Sequence, residues 1–155
     1  MSAIFTMKFL TEVIFAAVGT VAFSVLFFVP RKYYGFCGIC GAAGWIIYSV
    51  FAKVGASAEE ATFFATLAVI FLSRLFAVME MCPATLFLIP GIFPLVPGAD
   101  VYWTSYYIVT DDLALASETG FTAIKVAAAI VLGIIFVFEI PQGFFAVLAG
   151  RKKRT

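Results

Sequence analysis

An all-α fold is predicted: a polytopic helical membrane protein with about five transmembrane segments, the fourth broken by Pro and Gly. The prediction rests on composition, the spacing of apolar runs, and one interrupted stretch. The chain has 155 residues, 64% of them hydrophobic and 12% charged, with a mean hydropathy of +1.11. A soluble domain is about half apolar and a quarter charged, so lipid must be part of this chain's solvent. Its apolar runs approach the ~20 residues needed to cross the hydrocarbon core. Short polar links separate them, which gives a single integral membrane domain over 1–155 with no room for a second, soluble one. The interrupted stretch, 89–107, holds Pro90, Gly91, Pro94, Pro97, Gly98 and the carboxylate of Asp100. Each proline removes a backbone donor and clashes with the carbonyl one turn back, and the residue before it is pushed from the helical region. No uniform helix is expected there. Broken backbone at membrane depth is tolerated only when buried in protein or lining a wet cavity. In transporters such segments bind substrate or coupling ion near the midplane.

The first span is expected over about 10–29, with Glu12 near its outer end. Lys8 and the following apolar run mimic a secretory signal, but the run ends at Pro30, Arg31 and Lys32 with no clear small-residue cleavage site, so it is read as a retained span. The second span, about 33–52, opens on Tyr33 and Tyr34, suited to an interface. Gly35, Gly38, Gly41 and Gly44 recur every third residue and make a smooth strip on which another helix packs closely. In the polar link 53–60, Ser57 and Glu60 fit a capping box. The third span, about 61–81, contains Arg74 and Glu80 and closes at Cys82 and Pro83. The broken segment takes 84–109, 110–119 is the most polar loop, and the last span covers 120–148, longer than one crossing requires. Glu139, Pro141, Gln142 and Gly143 interrupt its far end, before Arg151, Lys152, Lys153 and Arg154.

Basic residues favour the cytoplasmic side. Arg31, Lys32 and the terminal basic cluster should face inward, and the carboxylate-rich 53–60 and 110–119 outward. These placements agree only if 84–109 crosses, which puts the N-terminus outside and the C-terminus in the cytoplasm of a multi-pass cell-membrane protein. A four-span layout with 84–109 re-entrant would leave one basic end on the wrong side.

Ionisable residues inside a membrane are costly and are functional candidates by default. Asp100 follows the second proline–glycine pair, either capping free amides of the next helix or serving as a proton or cation site beside a substrate cavity. Arg74 pairs with Glu80, snorkels to the inner interface, or clamps a substrate carboxylate with its planar fork. Glu139 pairs with Arg74 or the basic tail, or is a protonatable carboxylate for coupling. Tyr102 and Tyr106 share a helix face within an aromatic belt and offer hydroxyls if that face lines a cavity.

No histidine is present, which removes the usual metal ligand and general base. Cys37 and Cys40 form a C-x-x-C inside an apolar helix with no second pair, so they read as packing residues and no metal site is expected. No phosphate loop, H-E-x-x-H or nucleophile–base set occurs. Neither a catalytic residue nor a cofactor is expected. The terminal basic cluster adjoins a span and reads as an anchor or acidic-lipid contact, not a nucleic-acid patch.

Residues 89–98 followed by Tyr102 resemble the proline-rich signature of the threonine/serine exporter family, and the span layout is similar to that of its small, integral membrane subunit. The matching positions are Pro90, Gly91, Pro94, Pro97, Gly98 and Tyr102. Arg74, Asp100 and Glu139 are candidates from their chemistry alone. The resemblance implies a secondary exporter of threonine, serine or a related small carboxylate, and a larger membrane subunit as partner. Some two-subunit members are associated with dicarboxylates such as succinate. Five spans make a thin transporter, so self-association is an added expectation. The competing reading is a non-transporting scaffold in which the prolines serve only packing.

Overall fold

The computed structural model describes residues 2–149, with side chains over 7–149. The basic cluster Arg151, Lys152, Lys153 and Arg154 lies outside the described residues. All regular structure among the described residues is helical: α1 (Ser2–Leu26), α2 (Tyr34–Val54), α3 (Ala58–Glu80), α4 (Thr85–Ile92), α5 (Gly98–Val109), α6 (Leu113–Phe138) and α7 (Gln142–Leu148). Short 3-10 turns cover Arg31–Tyr33 and Phe93–Leu95. Four helices, Met7–Leu26, Arg31–Val54, Ala58–Glu80 and Leu113–Phe138, are long and apolar enough to cross a membrane. Thr85–Leu95 and Gly98–Val109, bent by 53°, together pass the same test as a possible fifth.

α1, α2 and α3 run up, down and up, and the glycine strip of α2 explains how they meet. Three residues advance 300° around a helix of 3.6 residues per turn, so a period of three drifts about 60° per step. Gly38 and Gly41 therefore face α1, where a Cβ would meet Val21 and overlap Thr20. Gly44 has turned toward Val69 of α3 and Leu95 of the segment after α4. Gly35 is exposed and outside this packing. Cys37 and Cys40 point to different helices. The Cys37 thiol lies 3.4 Å from the Leu86 carbonyl, and the Cys40 sulfur 3.8 Å from Ser73 Oγ.

α3 starts at the predicted capping box. Ser57 Oγ accepts from the Glu60 amide, and the Glu60 carboxylate accepts from the Ser57 amide. α3 and α6 run parallel. Glu59 meets Lys125 at one end, Gly133 lies against Thr66 in the middle, and Arg74 reaches the carbonyls of Val137 and Ile140 at the other.

Several sequence expectations change. Residues 110–119 are not a loop, because α6 begins at Leu113. The Asp112 side chain accepts from the Leu115 amide and starts the helix within the polar stretch. α6 stops at Phe138 and resumes as α7 after Pro141, so 120–148 is two helices. Level with Glu59 at Lys125, α6 extends by its first twelve residues, Leu113 onward, beyond the start of α3. With α5 beside it, joined by the Thr104–Thr119 hydroxyl pair at 2.9 Å, this makes a projecting helical hairpin. α5 has no buried residue.

Candidate functional site: the proline break and its cavity

The three prolines do not act alike. Pro90 lies inside α4, fully buried, and the helix continues past it. Its missing donor removes one bond from a two-turn helix that neighbouring helices hold, a tolerated cost in membrane helices. Phe93, before Pro94, also stays helical with φ −52° and ψ −41°, because Pro94 sits in the first turn of the 3-10 segment, where an amide is not needed. Its ring stacks on Phe23 of α1. Only Val96 is driven to extended backbone, with ψ 132°. Pro97 follows with φ −75° and ψ 56°, and the Gly98 amide donates to the Val96 carbonyl at 2.7 Å. That is an inverse γ-turn. The expected break is therefore confined to Val96 and Pro97.

A cavity of about 240 Å³ adjoins this break, lined by Pro94, Val96, Pro97, Gly98 and Asp100, by Trp45 and Tyr48 of α2, and by Thr62 of α3. Ala58 and Val126, with Leu95 and Ala99, complete its wall, which places it level with the first turn of α3 rather than with the middle of the bundle. A second cavity, of about 300 Å³, lies on the other side of Trp45 and Pro94 and is lined by Glu12, Phe15 and Ala16 of α1. Trp45 and Pro94 are thus the shared wall. The indole nitrogen of Trp45 is buried and makes no hydrogen bond. An unpaired buried donor costs about 1–3 kcal/mol, so an acceptor brought within reach of this nitrogen would be favoured. Trp45, Tyr48 and Thr62 were not among the sequence candidates. A lone tryptophan mid-span was the available signal.

The motif residues divide. Pro94, Pro97 and Gly98 line the cavity, and Asp100 is half-buried at its edge. Pro90 and Gly91 belong to the packed middle, where a Cβ on Gly91 would press on Val69 and Cys40. Tyr102 is 62% exposed and Tyr106 48%, both grouped with Trp103 on the outside of α5. Neither lines the cavity. Asp100 stands in the first turn of α5 but makes no capping bond, since no side chain caps this helix. Its position still suits the positive end of the helix dipole.

Arg74 and Glu139 are remote from the break. Arg74 is 7% exposed and neither snorkels nor pairs with Glu80 or Glu139. Its Nη1 donates to the carbonyls of Val137, Phe138 and Ile140 instead. Pro141 ends α6 and has no amide for the Val137 carbonyl one turn back, which leaves the carbonyls of this corner open to a side-chain donor. Glu139 itself is exposed and lines neither cavity at the break.

An uncharacterized protein of Haemophilus influenzae is 31% identical over 99 residues, 64% of this chain and 33% of that protein. The match thus spans about a third of the length of this curated relative. No solved structure matches the chain. The family model described as threonine/serine exporter, ThrE, matches residues 12–140. With its apolar helices and its broken segment, the chain belongs to the threonine/serine exporter family, a family of multi-pass membrane transporters.

Proposed function

We propose that this chain is the small subunit of a secondary exporter in the cytoplasmic membrane, moving threonine, serine or a related small carboxylate outward. The observation that carries this reading is the meeting of the Val96–Pro97 break with a cavity lined by Asp100, Tyr48 and Trp45, whose indole N–H has no partner. Discontinuous helices around a small cavity with a few polar groups on its wall are what a transporter needs to hold a solute in lipid. Threonine presents an ammonium, a hydroxyl and a carboxylate. Asp100 suits the first, Tyr48 the second, and the indole N–H any acceptor.

In this reading 84–109 crosses the membrane, the N-terminus is outside, and Arg31, Lys32 and the terminal basic cluster are cytoplasmic, following the basic-residue bias. The break cavity then opens toward the exterior. Uphill export takes a driving ion, for which a proton carried by Asp100 is the simplest choice. A larger membrane subunit of the same family, or a second copy, would cover the projecting α5–α6 hairpin.

The test is threonine efflux from cells loaded with threonine-containing peptide, comparing the gene deletion with its complemented strain. Efflux should fall on deletion, return with the intact gene, and return only partly with Pro97→Ala at equal membrane abundance. Unchanged efflux of threonine, serine and dicarboxylates on deletion rejects the exporter reading. A Pro97→Ala effect on abundance alone favours a scaffold.

A further inference from the structure

The end of the bundle opposite the break holds a larger cavity, of about 580 Å³, and its one charged wall residue is Arg74. Ala77, Cys82, Ala84, Gln142 and Gly143 also line it. Small side chains at the end of α3 and the start of α7 leave the room. The volume lies within the roughly 300–1,000 Å³ of small-molecule sites.

Arg74 is held as a binding residue is held. One arm of its fork, Nη1, is tied to three carbonyls around the α6–α7 corner. The guanidinium carbon lies 4.5 Å from the Phe145 ring centre and 5.4 Å from that of Phe138. These contacts fix the plane of the group. They do not neutralise it, because carbonyls supply dipoles and rings supply quadrupoles. Among the described residues no carboxylate pairs with Arg74, and no acidic side chain lines the cavity. Guanidinium carries five N–H donors. Those on Nε and Nη2 have no acceptor among the described residues.

A buried cation without a counter-charge is unfavourable by several kcal/mol, and the geometry left open is the one that takes an oxyanion in two parallel hydrogen bonds. Gln142, whose side chain carries an amide donor, lines the same cavity. We propose that the Arg74 cavity is an oxyanion-binding site, taking the carboxylate of a small solute or the phosphate of a lipid headgroup. Which carboxylate would occupy it rests on the exporter reading above. The site itself does not, since it follows from an unpaired cation facing an open cavity. On the exporter reading the two cavities lie at opposite ends of one path. The close-packed Gly44, Gly91, Cys40 and Val69 separate them.

The experiment is calorimetric titration of the purified full chain in phosphatidylcholine nanodiscs with L-threonine, succinate and inorganic phosphate. At least one should bind saturably, about tenfold or more weaker in Arg74→Gln, as expected for losing a charge-assisted bond. Ala146→Phe, which fills the cavity without touching the carbonyl bonds, should weaken the same binding with helicity and dispersity unchanged. It keeps the test valid if Arg74→Gln misfolds. Carboxylate binding assigns the site to a solute. Binding of phosphate alone, displaced by adding phosphatidylglycerol to the nanodisc, assigns it to a lipid headgroup. No saturable binding of any probe, or equal binding in the folded variants, overturns the proposal. Efflux that depends on the gene without such binding removes this site and leaves the exporter reading. Binding without gene-dependent efflux does the reverse.

Discussion

α3 is fastened to the α6–α7 segment at both ends by a cation, and the two fastenings differ in almost every respect. At one end Lys125 meets Glu59 at 3.2 Å, with both side chains substantially exposed. At the other, buried Arg74 bonds the backbone at the corner that Pro141 makes. The two proline breaks follow the same division. Beside the Lys125 end, Val96 and Pro97 line a void together with Trp45, whose buried indole N–H has no partner. At the Arg74 end, the carbonyls of Val137, Phe138 and Ile140 converge on one nitrogen. A break whose polar groups are satisfied by the protein is a structural joint. A break that borders a void, even with its own amides and carbonyls paired, leaves room for a ligand. Arg74 does both, since one arm of its fork closes the joint and the rest faces the cavity.

The sharpest way to break this comparison is Arg74→Ala. It removes the Arg74 donor from the carbonyls of Ile140 and of Val137, the latter keeping the Ile140 amide, at about 1–3 kcal/mol for a group left unsatisfied. Melting of the detergent-purified protein should fall by several degrees, and amide exchange should rise in α7 and the end of α6 before it rises elsewhere. Uniform exchange, or an unchanged melt, would show that the corner is held by apolar packing around Phe145 and not by the cation.

Trp45→Phe is the matching change at the other break and should act in the opposite sense on stability. It removes a buried donor that has no partner, so the melt should hold or rise slightly, within about 1 kcal/mol, while threonine efflux falls at equal abundance. A destabilised variant would mean that the indole N–H is satisfied in the native membrane, and the distinction between the two breaks would be lost.

The contrast also separates what the sequence made legible from what it did not. The helical membrane class, the Ser57–Glu60 cap and the interruption near Pro97 depend on side-chain chemistry that is local in sequence, and the residues announce them. The continuation of α4 through Pro90 is not local. It depends on α2 and α3 burying that helix, and pre-proline bias is overridden where Phe93 can stack on Phe23. The early start of α6 was hidden because Asp112 reads equally as loop and as cap. Arg74 was found by its charge but assigned the wrong partners. Ionic partners are visible in a sequence, whereas freed backbone carbonyls are not, except through the proline that frees them. Trp45 was missed because an apolar run makes a tryptophan look like lipid-facing bulk, and only the fold reveals that its nitrogen is orphaned beside the break.

The smallest effect expected is that of Lys125→Gln, and it tests the open end of the comparison. The pair is solvent-accessible, so it gains little over hydration and is screened by salt. Its neighbours in sequence, Ala58 and Val126, line the break cavity. Loosening it should leave the melt nearly unchanged while raising amide exchange in the first turn of α3 and the adjoining part of α6. Raising the salt concentration in the unmodified protein should reproduce that change, and should leave exchange around Arg74 as it was, because buried bonds to carbonyls are shielded from mobile ions. If salt loosens both ends alike, the two fastenings are not different in kind, and the assignment of one end as a joint and the other as an open site loses its physical basis.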